Sequence, residues 1–112
     1  MADILWPGRS GKTYGYWFTS SIAAADLKDE GGNYMFVRQL PNGNWLPVYI
    51  GVADSLRNRL PNHEHLAAAQ RLGATDVMTH TTPAGPQVRL DEERDLIQQW
   101  NPALNVQHRS AG

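Results

Sequence analysis

Two groups of side chains in this chain have the types and spacing for chemistry. In "VYIGVADSLRNRLPNHEH", residues 48–65, a strand-like run reaches Tyr49-Ile50-Gly51 and is followed by Arg57, Arg59, His63 and His65 within nine residues. Further on, "QVRLDEERDLIQQW" has the strongest helical pattern in the sequence. At about 100° per residue, its Leu90, Leu96, Ile97 and Trp100 form one stripe roughly 120° wide. Glu93 falls near the middle of that stripe, while Asp91, Glu92 and Asp95 are expected to point away. A carboxylate centred on an apolar stripe must be paired, protonated or bound to a cation, because burying it alone is costly. On a helix starting at Ser55, Arg59 lies about 60° from Leu56 and also borders the core. The two groups either form a structural ion pair or frame a phosphate and its metal.

Other candidates carry less by themselves. Tyr34 and Tyr49 sit in strand-like runs, where tyrosines ordinarily pack and leave the hydroxyl at an edge. His63, His65 and His80 read singly as surface residues, and "HEH" is too short to specify metal ligation. "GRSGKT" near the start ends like a phosphate loop. The motif needs a glycine where Trp6 stands, and no apolar strand is expected before it, so an ordinary loop is the reading.

The elements that must hold these residues follow from composition and pattern. The chain has 112 residues, 41% hydrophobic and 19% charged, which suits one globular domain with one modest core. There is no cysteine, so disulfides, thiolate metal sites and cysteine nucleophiles are excluded. No apolar run has the length of a membrane span or signal core, and a cytoplasmic protein is the simplest expectation. Net charge is −1, which argues against tight non-specific binding to a polyanion. The charge is nevertheless sorted, with three arginines against one acid over 55–72 and two against four over 89–95.

Along the chain, "TYGYWFTSSI" suggests an added strand within an N-terminal extension, residues 1–30. "GNYMFVRQL" alternates, with Tyr34, Phe36 and Arg38 on one face and Met35 and Val37 on the other; "PNGN" turns it and "WLPVYIGV" returns as a hairpin. Asp54 is the expected N-cap of a helix from Ser55 that Pro61 ends or kinks, before a second stretch from Asn62 to Leu72. "TDVMTHTT" reads as a third strand, and Asn101-Pro102 stops the last helix.

Taken in order, "GNY" (Gly32–Tyr34), "YIG" (Tyr49–Gly51), Arg59 eight residues beyond, His63 four further, "EERDLI" with Glu93 and "NPALN" with Asn105 resemble the GIY-YIG nuclease superfamily over residues 31–107, leaving 108–112 as a tail. The wording of these segments is similar to small stand-alone bacterial members. The resemblance implies an α+β domain: a small three-stranded antiparallel sheet flanked by helices, here with an extra N-terminal strand. It implies hydrolysis of DNA phosphodiesters with a single divalent metal, Mg²⁺ or Mn²⁺, on Glu93. Arg59 would hold the scissile phosphate, Tyr34 or Tyr49 with His63 would activate water, and Asn105 would brace the site.

The chemistry suits those roles. Phosphodiester hydrolysis needs a nucleophile deprotonated near neutral pH, charge stabilisation on phosphorus and relief of the leaving oxygen. A phenol with a pKa near 10 is a poor base unless neighbours lower it. One carboxylate predicts one metal rather than a two-metal clamp. Asn33 departs from the family's apolar residue, the turn between the tyrosine motifs is slightly long, and Pro61 interrupts the helix between Arg59 and His63. Low net charge implies weak DNA affinity unless another domain or a targeting partner delivers the substrate; a subunit active only as a homo-oligomer is a third reading. The alternative is a non-catalytic nucleic-acid or protein interaction module that keeps the same fold.

Overall fold

The computed structural model describes residues 1–106, so the expected tail lies outside the described residues. Its elements are β1 (Ile4–Pro7), β2 (Thr13–Phe18), a 3₁₀ turn (Ala24–Asp26), β3 (Gly32–Gln39), β4 (Trp45–Ala53), α1 (Leu56–Arg59), α2 (Leu66–Arg71), β5 (Asp76–Thr81) and α3 (Pro86–Trp100). All strand pairings are antiparallel, in the order β1-β2-β5-β3-β4.

This corrects the expected architecture: the sheet has five strands, not three. The β3–β4 hairpin and β5 form as anticipated, but the N-terminal segment supplies a whole hairpin rather than one added strand. Its second strand joins β5 through Trp17 opposite Thr79 and Phe18 opposite Met78. Trp6, Tyr14 and Tyr16 are buried in the same cluster as Met35, Val37, Ile50, Met78 and Leu96. A short "ILWP" run gives too few residues for an alternation signal, yet Trp6 buries a large apolar surface and pins the strand.

A strand therefore does precede "GRSGKT", contrary to expectation, but a strand also follows it, so no phosphate loop forms. The loop instead wraps an internal carboxylate. Asp95 accepts from the Ser10 N–H at 2.8 Å, the Ser10 hydroxyl at 2.7 Å and the Tyr14 hydroxyl at 2.7 Å. Burial pushes the Asp95 pKa up, but these hydrogen bonds outweigh it and hold it below the usual range. A Cβ on Gly8 would stand 2.1 Å from the Asp95 Oδ2, so this close approach requires glycine.

The alternation in β3 divides the core as read from sequence. Tyr34 and Phe36 pack with Val48, Leu56, Leu60, Ala69 and Leu104 on the face covered by α1 and α2. Met35 and Val37 face α3 through Leu96, Ile97 and Trp100. Each large side chain so buried contributes about 1.5–3 kcal/mol. A bulge between Phe36 and Val37 shifts the register of β3 against β4. Among the described residues no helix is long and apolar enough to cross a membrane.

Helix ends differ in detail from expectation. Ser55, not Asp54, caps α1 by accepting from the Asn58 N–H, and Asp54 instead meets Arg89 at 3.0 Å. The second stretch becomes helical only at Leu66, because residues 61–65 form turns around Pro61. Asn101 ends α3 in the left-handed conformation, φ 46°.

Gly51 explains why the tyrosine motif ends in glycine. It lies directly opposite Tyr34, and a Cβ there would stand 2.3 Å from the Tyr34 Cζ. The phenol ring lies over the space that the missing side chain leaves. Gly51→Ala is expected to cost about 1–3 kcal/mol by overpacking. Urea unfolding measures this, and an unchanged midpoint would show that the ring has room to move.

Candidate active site

The side chains after Tyr-Ile-Gly converge on the two phenols. Tyr34, 1% exposed, lies within 2.5 Å of His63 Nε2 through its hydroxyl, and His63 is itself 6% exposed. Pro61 breaks α1, and the turn that follows, closed by His63 N–H donating to Leu60 O, swings the imidazole over the sheet. The His63 ring lies 5.5 Å from the half-buried Tyr49 ring and 4.9 Å from that of Phe36.

Hydrogen bonding gives this cluster a direction. The backbone N–H of His65 donates to His63 Nδ1 at 3.0 Å, so Nδ1 carries a lone pair and the neutral ring holds its proton on Nε2. His63 Nε2–H then donates to the Tyr34 oxygen, leaving the Tyr34 hydroxyl proton to point onward. The Tyr49 ring lies 6.2 Å from that of Tyr34, and Tyr34 favours the Tyr49 anion. Donation thus runs from His65 through His63 to Tyr34, next to Tyr49, the more exposed phenol.

Burial and then the Arg59 charge depress the His63 pKa to about 4, so the ring is neutral at pH 7. Tyr34 is pushed well above the usual phenol range by burial and by neighbouring Tyr49, with Arg59 opposing. Tyr49 is also raised, by burial and then by the Glu93 charge, against the pull of Arg59 and the Tyr34 hydrogen bond. Charged groups on α1, on the turn after it and on α3 therefore all bear on the same two hydroxyls.

The cost of a buried neutral histidine appears in acid. With its folded pKa below the unfolded value near 6.5, His63 contributes stability that is complete above roughly pH 6.5 and lost as pH falls through about 4. The loss is on the order of 3 kcal/mol. Urea midpoints measured from pH 7 to pH 4 are expected to fall in the wild type and to fall less in His63→Gln. Parallel curves would assign the acid sensitivity elsewhere.

Arg59 does not pair with Glu93. Its guanidinium grips Glu64 with two hydrogen bonds, 2.6 and 2.8 Å, and this pairing is the main cause of its raised pKa. In turn Arg59 lowers the Glu64 pKa to about 2. Glu64 is the residue whose role the sequence reading missed. The signal was an acid five residues beyond the arginine, across a proline turn that folds the chain back.

The spacing required a partner, a proton or a cation for Glu93; among the described residues its side chain has no partner, and its stripe is rotated from the expected one. Leu90 is 41% exposed and Arg89 8%, so Arg89 takes the inward place. Glu92 and Asp95 do not point away: Glu92 accepts from Thr82 at 2.6 Å and meets His80 at 3.3 Å, while Asp95 holds the N-terminal loop. His80 is not a surface residue either, since its ring stacks on Tyr16. Glu93 has neither a hydrogen bond nor an ion pair among the described residues, and burial raises its pKa, with Arg94 opposing. It lies on α3, across the sheet from α1, and its charge still acts on Tyr49 and Tyr34.

Asn105 ties these parts to the edge strand. Its side chain accepts from Ile50 N–H and donates to Ile50 O, both at 2.8 Å, pairing the outer edge of β4 between Tyr49 and Gly51. Tyr34, Tyr49, Arg59 and His63 thus gather on one face, Glu93 approaches from the other, and Asn105 closes the edge.

The oxygen donors present fit a hard dication held by few protein ligands. Among the described residues the Glu93 carboxylate has no side-chain partner and the buried Asn33 Oδ1 has no hydrogen-bond donor. The Asn33 amide donates to the Arg89 carbonyl, one turn before Glu93, at 3.0 Å. Among the described residues there is no cluster of three or more His, Cys, Asp or Glu side chains that would form an all-protein cage. No family model matches the chain, and no curated protein matches it.

Proposed function

We propose that the protein is a metal-dependent endonuclease of the GIY-YIG type that hydrolyses DNA phosphodiester bonds. The observation that carries this reading is the directed hydrogen-bond chain from His65 through His63 to Tyr34, with Tyr49 and Arg59 beside it and Glu93, which has no side-chain partner among the described residues, acting on both phenols. Structural tyrosines do not require a histidine of fixed tautomer beneath them.

In this reading Tyr49 acts as its phenolate: it takes a proton from the attacking water and becomes neutral as the water oxygen bonds to phosphorus and the bond to the leaving oxygen breaks. Before the attack the charge of the Tyr49 phenolate is met by Tyr34 and by the Arg59 guanidinium, and His63 Nε2–H holds the Tyr34 hydroxyl in place. Arg59 binds non-bridging phosphate oxygens and stabilises the added charge at phosphorus. Glu93 would hold a dication of the Mg²⁺ or Mn²⁺ type, which would supply neutralisation of the leaving oxygen. Asn105 fixes the Ile50 backbone and so the placement of Tyr49.

A second reading, a non-catalytic interaction module, draws on the occupied Arg59 and the net charge of −1. Incubation with supercoiled plasmid and Mg²⁺ or Mn²⁺ separates the two. Nicking or linearisation that disappears in Glu93→Ala supports the enzyme. Measurable plasmid binding with no cleavage across metals and salt would establish the module instead.

A further inference from the structure

The carboxylate of Glu64 occupies both arms of the guanidinium assigned to phosphate, at 2.6 and 2.8 Å. A carboxylate and a phosphate present the same pair of oxygens to an arginine fork, so the two ligands exclude one another there. Glu64 is a neighbour by design of the turn: Arg59 ends α1, Pro61 prevents its continuation, and the chain reverses so that residue 64 returns over residue 59. The pair is reachable, with side-chain exposures of 33% for Arg59 and 59% for Glu64. An exposed pair of this kind adds little net stability and exchanges partners readily.

We propose that Glu64 is an internal stand-in for the substrate phosphate, a latch that keeps Arg59 closed until a nucleic-acid backbone displaces it. This rests on the nuclease reading given above and adds a regulatory element to the same site. Glu64 opposes the reaction in two further ways: its charge repels an incoming phosphodiester, and it disfavours the anionic forms of Tyr34 and Tyr49. Displacement by substrate would free Arg59 and let the Glu64 carboxylate swing into solvent, away from the phenols. Binding of the backbone would thereby be coupled to preparation of the phenols. The latch would also spare the site from small anions, since a single free phosphate competes with a tethered carboxylate at high local concentration.

The test is fluorescence anisotropy of a short labelled DNA duplex in EDTA, so that cleavage does not enter. It compares the wild type with Glu64→Gln, Arg59→Ala and the double variant. Glu64→Gln is expected to bind about 3- to 10-fold more tightly, with a salt dependence steeper by about one released counterion. That gain should vanish in the Arg59→Ala background. Asp91→Asn, which removes an exposed acid from α3, controls for net charge and should leave affinity nearly unchanged. Equal or weaker binding by Glu64→Gln, where Arg59→Ala still weakens binding, would overturn the latch and leave the nuclease reading intact. Binding that is absent or insensitive to Arg59→Ala would overturn both. A gain as large in Asp91→Asn would reduce the effect to net charge and overturn the latch alone.

Discussion

Glu93→Gln is expected to make the protein more stable at pH 7 and to abolish cleavage. Burial raises the Glu93 pKa above its unfolded value, and Glu93 has no partner among the described residues that offsets the cost of its charge. A group shifted in that direction favours the fold below the unfolded carboxylate pKa and loses that benefit as pH rises through the folded value. At pH 7 the ionised side chain is therefore a burden, which the neutral amide of nearly the same shape removes. The gain should fall within the roughly 0.5–2 kcal/mol that single stabilising substitutions commonly give, about 2–8 °C in melting temperature. Near pH 4 the two proteins should converge. A structural ion pair predicts the reverse sign, because removing one partner of a buried pair costs about 3–5 kcal/mol. Calorimetry at the two pH values decides between them. The same substitution should lower the Tyr49 pKa, since the Glu93 charge is the largest cause of its elevation after burial. Titration of tyrosinate absorbance, with Tyr49→Phe to assign the signal, measures that shift without any metal.

The sequence announced those parts of the molecule in which a short-range pattern and its physical cause coincide. The alternation of "GNYMFVRQ" separated Tyr34 and Phe36 from Met35 and Val37, and both clusters of the core divide along that line. Helical spacing picked out Glu93, and the proline after Arg59 marked the break that lets His63 turn over the sheet. What it did not announce depends on partners distant in sequence. The strand status of Ile4–Pro7 comes from pairing with Thr13–Tyr16 and from Trp6 packing edge-on against Trp100, at 5.1 Å between ring centres. Glu92 looked solvent-facing because spacing alone places the stripe, whereas Thr82 and His80 supply polar contacts that draw its carboxylate inward. Asn33, an unexpected polar residue in a strand, is fully buried and tethered to α3 through Arg89 O. The choice of Glu64 over Glu93 as the partner of Arg59 is likewise a matter of a turn whose path the periodicity does not encode.

The two phenols should separate cleanly when each is replaced by phenylalanine. Tyr49→Phe is expected to lower the cleavage rate by about 10²–10⁴-fold, the range for loss of a general base. Tyr49 is half-buried and packs on Phe36 with its ring, which phenylalanine retains, so the fold should be little changed. Tyr34→Phe acts first on stability. It leaves the buried His63 Nε2–H without its acceptor, at a cost of about 1–3 kcal/mol. Its catalytic effect is indirect: without the Tyr34 hydrogen bond the Tyr49 anion loses a stabilising neighbour, and the Tyr49 pKa rises. Cleavage by Tyr34→Phe should therefore persist at a reduced rate and recover toward alkaline pH, with the rising limb of its rate profile displaced upward. Tyr49→Phe has no such limb to recover along. Rate profiles from neutral to alkaline pH for the three proteins, with folding checked by circular dichroism, make the comparison. A Tyr34→Phe protein that folds normally and is the more inactive of the two would reverse the direction of the proton chain and make the buried phenol the base. Because the order rests on which nitrogen of His63 holds the proton, the ¹⁵N shifts of its imidazole should report the Nε2–H form in the wild type, and they give the same answer before any substrate is added.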